Sequence, residues 1–305
     1  MELLQKQGLL VSQGSGKPRR IELAASGKAP GIRIGILLYE PADRDVPHMQ
    51  RLRRRLSAAD HACFFAEKTL TELQMKATRV ANYVKKCDAD AWLVAAGPKD
   101  VLEWFAGQPL PAFALFGRSV EVDMAATGPT KEPALRTAVR ELVELGHQRV
   151  VMLARRERRL PSPGFLERMF LDELGSHGIA TGSYNLPDCE ERPGGLQQML
   201  DALFRHTPPT ALLIQASDLT VATLAYAASR DLRIPQDFSI ISMDPSPNYA
   251  FCEPAIAHLA FDSEPWLRRI EQWARNVSRG KDDRRRVFYP AEFIKGGTIG
   301  QAKES

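Results

Sequence analysis

Two aspartates stand just after apolar runs of strand length. Asp218 closes Ala211-Leu-Leu-Ile-Gln-Ala-Ser-Asp218, and Asp244 closes Phe238-Ser-Ile-Ile-Ser-Met-Asp244. In an open α/β sheet, ligands bind outside the carboxyl ends of the parallel strands. Carboxylates at two such ends can accept hydroxyl hydrogen bonds from a polar ligand or, as a pair, perform acid–base work. Asp218 also precedes a helical pattern, where a short acid is equally suited to capping. Asp244 is followed by Pro245-Ser246-Pro247, which enforces a loop. A third group, Tyr39-Glu40-Pro41-Ala42-Asp43-Arg44, follows the first apolar run. Tyr39 can stack on an apolar ligand face, and Glu40 or Asp43 can accept from hydroxyls. A solvated loop has the same composition.

Other chemistry finds little support. Cysteines stand at 63, 87, 189 and 252 with no CxxC spacing, so neither a zinc knuckle nor a redox motif is indicated. They read as buried reduced thiols. His147 follows Gly146 at the end of a helical pattern, a place for C-terminal capping or packing rather than for a base without partners. Gly14-Ser15-Gly16-Lys17 fails as a phosphate loop, because position 11 is Val and Pro18 replaces the hydroxyl residue. No Cys–His or Ser–His–Asp arrangement and no metal spacing stand out. The expectation is therefore a non-enzyme with no catalytic residue, cofactor or metal.

The elements that must position these residues alternate. Of the 305 residues, 44% are hydrophobic and 26% charged, the balance of a globular chain long enough for about two units. Strand-like runs at Arg33–Tyr39, His61–Ala66, Ala91–Ala96 and Ala112–Phe116 alternate with helical patterns at Pro47–Ala59, Glu72–Lys86 and Lys99–Ala106. A second series follows. Its helices are Ala134–Leu145, Phe165–His177, Gly195–Arg205, Leu219–Arg230 and Trp266–Val277. Its strands are Arg149–Ala154, Thr181–Leu186, Ala211–Gln215 and Phe238–Met243, with a final extended stretch at Val287–Ile294. Repeated β-α-β predicts an α/β fold of two Rossmann-like lobes, each a parallel sheet covered on both faces.

Charge is uneven. The net charge is +4, and the first 33 residues hold Lys6, Lys17, Arg19, Arg20, Lys28 and Arg33 against Glu2 and Glu22. A basic head on a neutral body suits a polyanion-facing end, and a solvated tail has the same charge. No run reaches the roughly 18 apolar residues of a membrane span, and the first residues lack a secretory pattern, so no membrane partner and a cytoplasmic location are expected.

Three segments carry a resemblance. Glu141-Leu-Val-Glu-Leu-Gly-His-Gln-Arg-Val-Val-Met-Leu153, Pro208-Pro-Thr-Ala-Leu-Leu-Ile-Gln-Ala-Ser-Asp218 and Leu232-Arg-Ile-Pro-Gln-Asp-Phe-Ser-Ile-Ile-Ser-Met-Asp244 are in order and spaced as in lactose-repressor-type (LacI/GalR) transcription regulators. The resemblance implies the periplasmic-binding-protein type I fold over about 32–300. Lobe 1 would span about 32–145 with 259–288, and lobe 2 about 146–258 with 289–300. It implies a small, sugar-like effector in an inter-lobe cleft, touched by Tyr39, Glu40, Asp43, Ser162, Arg168, Asp218, Asp244 and Asp262. It further implies a cytoplasmic homodimer that binds DNA as a ligand-responsive regulator, a repressor in kind. The alternative is a non-enzymatic solute-binding protein of a transport system with the same fold. Departures are local. Gly164 stands where relatives often place an arginine that grips sugar hydroxyls, with Arg168 one turn further along. Ser217 replaces an Asn, and Lys131-Glu132-Pro133 replaces a frequent Asp.

The head, Glu2 to Leu23, resembles the end of a GntR-type winged helix. Gly8 would close the recognition helix, and Gln13, Gly14, Ser15, Gly16 and Lys17 would form the wing tip. Lys17, Arg19 and Arg20 would reach DNA. Residues 24–31 read as a linker. A winged helix needs more residues than the 23 present, so the head reads as partial and Met1 as either internal to a longer protein or the start of a truncated one.

Overall fold

The computed structural model describes residues 31–116, 122–159, 162–188 and 194–303. The head, including Gln13 to Arg20, lies outside the described residues, as does nearly all of the linker. The chain divides into two compact units. Unit 1 takes the described residues up to Thr127 together with Glu264–Val287. Unit 2 takes Gly128–Ser263 and the residues from Phe288 onward.

In unit 1, β1 (Arg33–Leu37) pairs in parallel with both β2 (Ala62–Phe65) and β3 (Ala91–Ala95). Next to β3 come β4 (Ala112–Leu115) and β5 (Ala125–Thr130), again parallel. Helix Pro47–Ala58 begins on a proline suited to its first turn and buries Met49, Leu52 and Leu56, one face at helical spacing. Gly35 lies opposite Trp92 in the β1–β3 register, and a Cβ there would stand 2.8 Å from the indole, so the glycine gives the ring its place. The helix expected over 72–86 is shorter, Ala77–Val84. Thr69 and Glu72 close a local turn through their side chains, and Gln74 and Met75 take left-handed backbone, which a continuing helix forbids.

Unit 2 carries β6 (Val150–Leu153), β7 (Ala211–Ile214), β8 (Ser239–Ser242) and β9 (Ala257–Ala260), all parallel. The final extended stretch splits into β10 (Arg286–Pro290), beside β5, and β11 (Glu292–Ile294), antiparallel to β9. Alternate strand residues face opposite layers. Val150, Met152, Leu213 and Ile241 pack with Leu135, Val139, Phe170 and Leu174. Val151, Leu153, Leu212, Ile214 and Ile240 pack with Leu196, Leu200, Tyr226 and Phe238. Burial on both faces is what makes these strands continuously apolar in sequence.

Three sequence expectations change here. Helix Glu132–Glu144 joins unit 2, because Leu135, Val139 and Leu142 enter the same core as Phe170, so the units part at 127/128 rather than near 145. The second crossing falls after Ser263 rather than at 259, because β9 completes unit 2's sheet. Thr181–Leu186 is not a strand. It forms a 3-10 turn at Ser183–Asn185, and the Asn185 side chain donates to the Val150 carbonyl at 2.9 Å, closing the β6 edge without a backbone ladder. Gly146 and Gly178 end their helices at φ +83° and +78°, as a left-handed terminus requires. Among the described residues, no helix is long and apolar enough to cross a membrane.

Candidate functional site

Because β6 to β9 run parallel, their carboxyl ends meet at one edge of unit 2. That edge presents Arg155 after β6, Gln215 to Asp218 after β7, Asp244 after β8, and Phe261 and Asp262 after β9. Two ion pairs form there. Arg155 Nη2 stands 2.7 Å from Asp218 Oδ2, with the guanidinium largely withdrawn from water and the carboxylate exposed. Lys131 Nζ donates to Asp244 Oδ1, and the ammonium lies 5.1 Å from the centroid of the Phe261 ring, within cation–π range.

A buried hydroxyl chain fixes the turn that carries Asp244. Ser242 Oγ donates to the Asp244 carbonyl at 3.0 Å and accepts from Thr220 Oγ1 at 3.1 Å and from Tyr249 at 2.7 Å. Burial raises the Tyr249 phenol above its ordinary range, so it stays a donor. Asp218 is not the cap of its helix. The cap position of Ser217–Ser229 is Ala216, and Asp218 sits in the first turn, where its charge favours the helix dipole while its carboxylate pairs with Arg155.

The neighbourhood of Gly164 is closed. Gly164 caps helix Phe165–Ser176, and a Cβ there would stand 2.4 Å from Glu167 Oε2. The Glu167 carboxylate is buried and accepts from Gln215. An arginine at 164 would meet that carboxylate's oxygen at its first carbon. Arg168, on that helix, is exposed and donates to the Pro163 carbonyl of the loop before it, and Ser162 and Asp262 are exposed.

In unit 1, Tyr39 and Glu40 are buried and Asp43 is half-buried. Asp43 Oδ2 accepts from the Glu40 amide at 3.1 Å, so this acid closes the 3-10 turn Pro41–Asp45. His48, Phe116 and Trp266 form an edge-to-face triangle with centroids 5.4–5.7 Å apart, Phe116 directly following β4. His147 is buried, with Nε2 at 3.0 Å from the Gly300 carbonyl and 3.1 Å from Ser239 Oγ, which makes it a packing residue. Among the described residues, no three His, Cys, Asp or Glu side chains are grouped to hold a metal ion. Sequence reasoning noted Lys131 only as the replacement of a frequent Asp and left out Arg155, Thr220, Tyr249 and Phe261. Arg155 was within reach, since it follows β6 as Asp218 follows β7.

Parallel strands with a polar carboxyl edge are the arrangement at which open α/β sheets bind their ligands. The periplasmic binding protein-like domain family matches residues 139–299, more than half of the chain, and the chain belongs to that family. It is 28% identical over 130 residues to the HTH-type transcriptional repressor CytR of Escherichia coli (strain K12), a match covering 40% of this chain and 36% of that protein. The matched region thus spans about a third of the curated relatives' length. Among solved structures, the Escherichia coli transcriptional repressor ascG has a TM-score of 0.67 at 16% identity, covering 88% of this chain and 99% of that one. A LacI family transcriptional regulator from Enterococcus faecium with bound ribose gives 0.67 at 15%, covering 89% and 100%. The dimeric Lac repressor with an 11-residue C-terminal deletion gives 0.68 at 16%, covering 89% and 100%. At such identities the likeness establishes the fold.

Proposed function

We propose that the chain is the effector-sensing part of a LacI-type transcription regulator, a repressor, whose basic head faces DNA. The observation that carries this reading is the carboxyl edge of unit 2, where Arg155, Asp218, Lys131 and Asp244 stand on a rigid hydroxyl-braced frame. A strand-end site of this kind recognises a small polar molecule. Tyr39, Glu40 and Asp43 of unit 1 and Ser162, Arg168 and Asp262 of unit 2 are proposed as further effector contacts. The relatives named above are regulators, and one solved relative holds ribose, which favours a sugar-like effector over a transport role. Another relative is dimeric, which supports a homodimer here. The protein works in the cytoplasm by binding, without catalysis or cofactor.

The effector shifts a conformational equilibrium only by binding one state better than the other. DNA contact through Gln13 to Lys17, Arg19 and Arg20 rests on phosphate neutralisation and falls steeply with salt. The test is fluorescence anisotropy on labelled duplex DNA, with sugars added that raise the melting temperature of the protein. The reading expects a sugar that both stabilises the protein and changes its DNA affinity. A protein that no sugar stabilises, and whose DNA affinity no sugar changes, contradicts it.

A further inference from the structure

The two ion pairs at the carboxyl edge of unit 2 bear on the chemical class of the effector, an inference that rests on the effector site proposed above. Lys131 is largely withdrawn from water, with its ammonium against the Phe261 ring and paired with the Asp244 carboxylate. Pulling Asp244 away without a replacement would leave a poorly solvated cation unpaired, which is strongly unfavourable. A neutral polyol therefore either leaves the pair intact and competes for the remaining lone pairs of Asp244, or separates it at that cost. A polyhydroxylated anion does neither. Its negative group takes the place of Asp244 beside Lys131, and the released carboxylate accepts from the ligand's hydroxyls. The second pair is arranged in the same sense. The Asp218 carboxylate is exposed, with its other oxygen on the Leu219 amide, while the Arg155 guanidinium is mostly covered, so the acid is the more readily displaced partner and Arg155 is a second cation for an oxyanion.

We propose that the effector is a small polyhydroxylated anion, a sugar acid or a phosphorylated sugar, whose negative group pairs with Lys131 and whose hydroxyls are taken by Asp244. Titration calorimetry on the full chain tests this with glucose, gluconate, glucuronate, glucose 6-phosphate and ribose 5-phosphate. Glucosamine serves as a cationic control, and inorganic phosphate and acetate as bare anions. At least one acidic sugar is expected to bind roughly tenfold or more tightly than its neutral parent, and the carboxylate and phosphate arms identify which oxyanion is used. Lys131→Met is expected to weaken that ligand roughly 10- to 100-fold, the loss of one charge-assisted contact. Asp244→Asn removes the internal competitor, so the ratio of acidic to neutral affinity should rise in that variant while it collapses in Lys131→Met. Misfolding cannot produce opposite changes in one ratio. A neutral sugar that binds as tightly as its acid, or an acid whose affinity Lys131→Met leaves intact, overturns the inference while the effector site stands. If no sugar of any charge binds, the site reading falls, and the inference falls with it.

Discussion

Replacing Asp283 by asparagine tests how unit 1 secures its last helix. Helix Glu264–Val277 ends against a turn in which the buried Asp283 carboxylate accepts from Arg269 Nη1 and Nη2 at 3.2 and 2.9 Å, from Asn276 at 2.6 Å, and from the Arg285 amide, Nε and Nη2 at 2.9–3.2 Å. Arg269 is itself buried. Breaking a buried pair from one side costs about 3–5 kcal/mol. Arg269 keeps the Arg285 carbonyl at 2.7 Å and the Phe113 ring at 5.2 Å, and the Arg285 side chain is mostly exposed and adds little, so the low end applies, about 3 kcal/mol. At roughly 3–4 °C per kcal/mol for a unit of this size, the midpoint should fall by about 10 °C. All four tryptophans, Trp92, Trp104, Trp266 and Trp273, lie in unit 1, so tryptophan fluorescence reports its unfolding while far-UV circular dichroism follows both units. The hydrogen bonds from Arg285 and Asn276, with the charge of Arg269, hold the Asp283 carboxyl well below the usual carboxylate range against the opposing effect of burial. Its contribution is thus present above the unfolded value near pH 4 and is lost as pH falls below it, so the gap between wild type and Asp283→Asn should narrow in acid. A fluorescence midpoint that moves by less than about 3 °C, or a gap that widens in acid, would refute the reasoning.

Three further outcomes follow from the packing. Gly35→Ala places a methyl 2.8 Å from the Trp92 ring and should destabilise unit 1 by about 1–3 kcal/mol, read as a lower urea midpoint of tryptophan fluorescence; an unchanged midpoint counts against the packing. Burial lowers the His147 pKa, outweighing the Gly300 carbonyl, and its Nδ1 has no partner, so unit 2 should lose stability as pH falls from about 6.5, and His147→Gln should flatten that slope in circular dichroism melts. Burial pushes the Cys63 thiol up to about 12, so iodoacetamide at neutral pH should leave it largely unmodified in the folded protein, as peptide mass mapping would reveal; rapid labelling would be inconsistent with that environment.

Strands covered on both faces were the most legible elements, because burial on two sides writes an unbroken apolar run, as in Ala211–Ile214 and Val150–Leu153. β5 was not legible. Its sequence, Ala-Ala-Thr-Gly-Pro-Thr, carries turn residues, and only its neighbours in the sheet make it a strand. Missing it displaced the boundary between the units and left Lys131, the residue that follows it, without a strand end to belong to. The carboxylates Asp218 and Asp244 were found by the strand-end rule, but their partners were not, since Lys131 is 113 positions from Asp244 and Arg155 is 63 from Asp218. Pairing across such separations is set by sheet order, which periodicity does not encode. The Tyr39 to Asp43 loop was identified as polar and ligand-suited, yet nothing local indicated that Asp43 spends its carboxylate on the Glu40 amide.

The central claim is that a small polar effector binds at the carboxyl edge of unit 2. Amide chemical-shift mapping during titration with a stabilising sugar or sugar acid tests it most directly. The account predicts shifts concentrated at Lys131, Ala154 and Arg155, Gln215 to Asp218, and Met243 and Asp244. Shifts gathered instead at the opposite strand ends, around Arg149, Thr210 and Asp237, would contradict it.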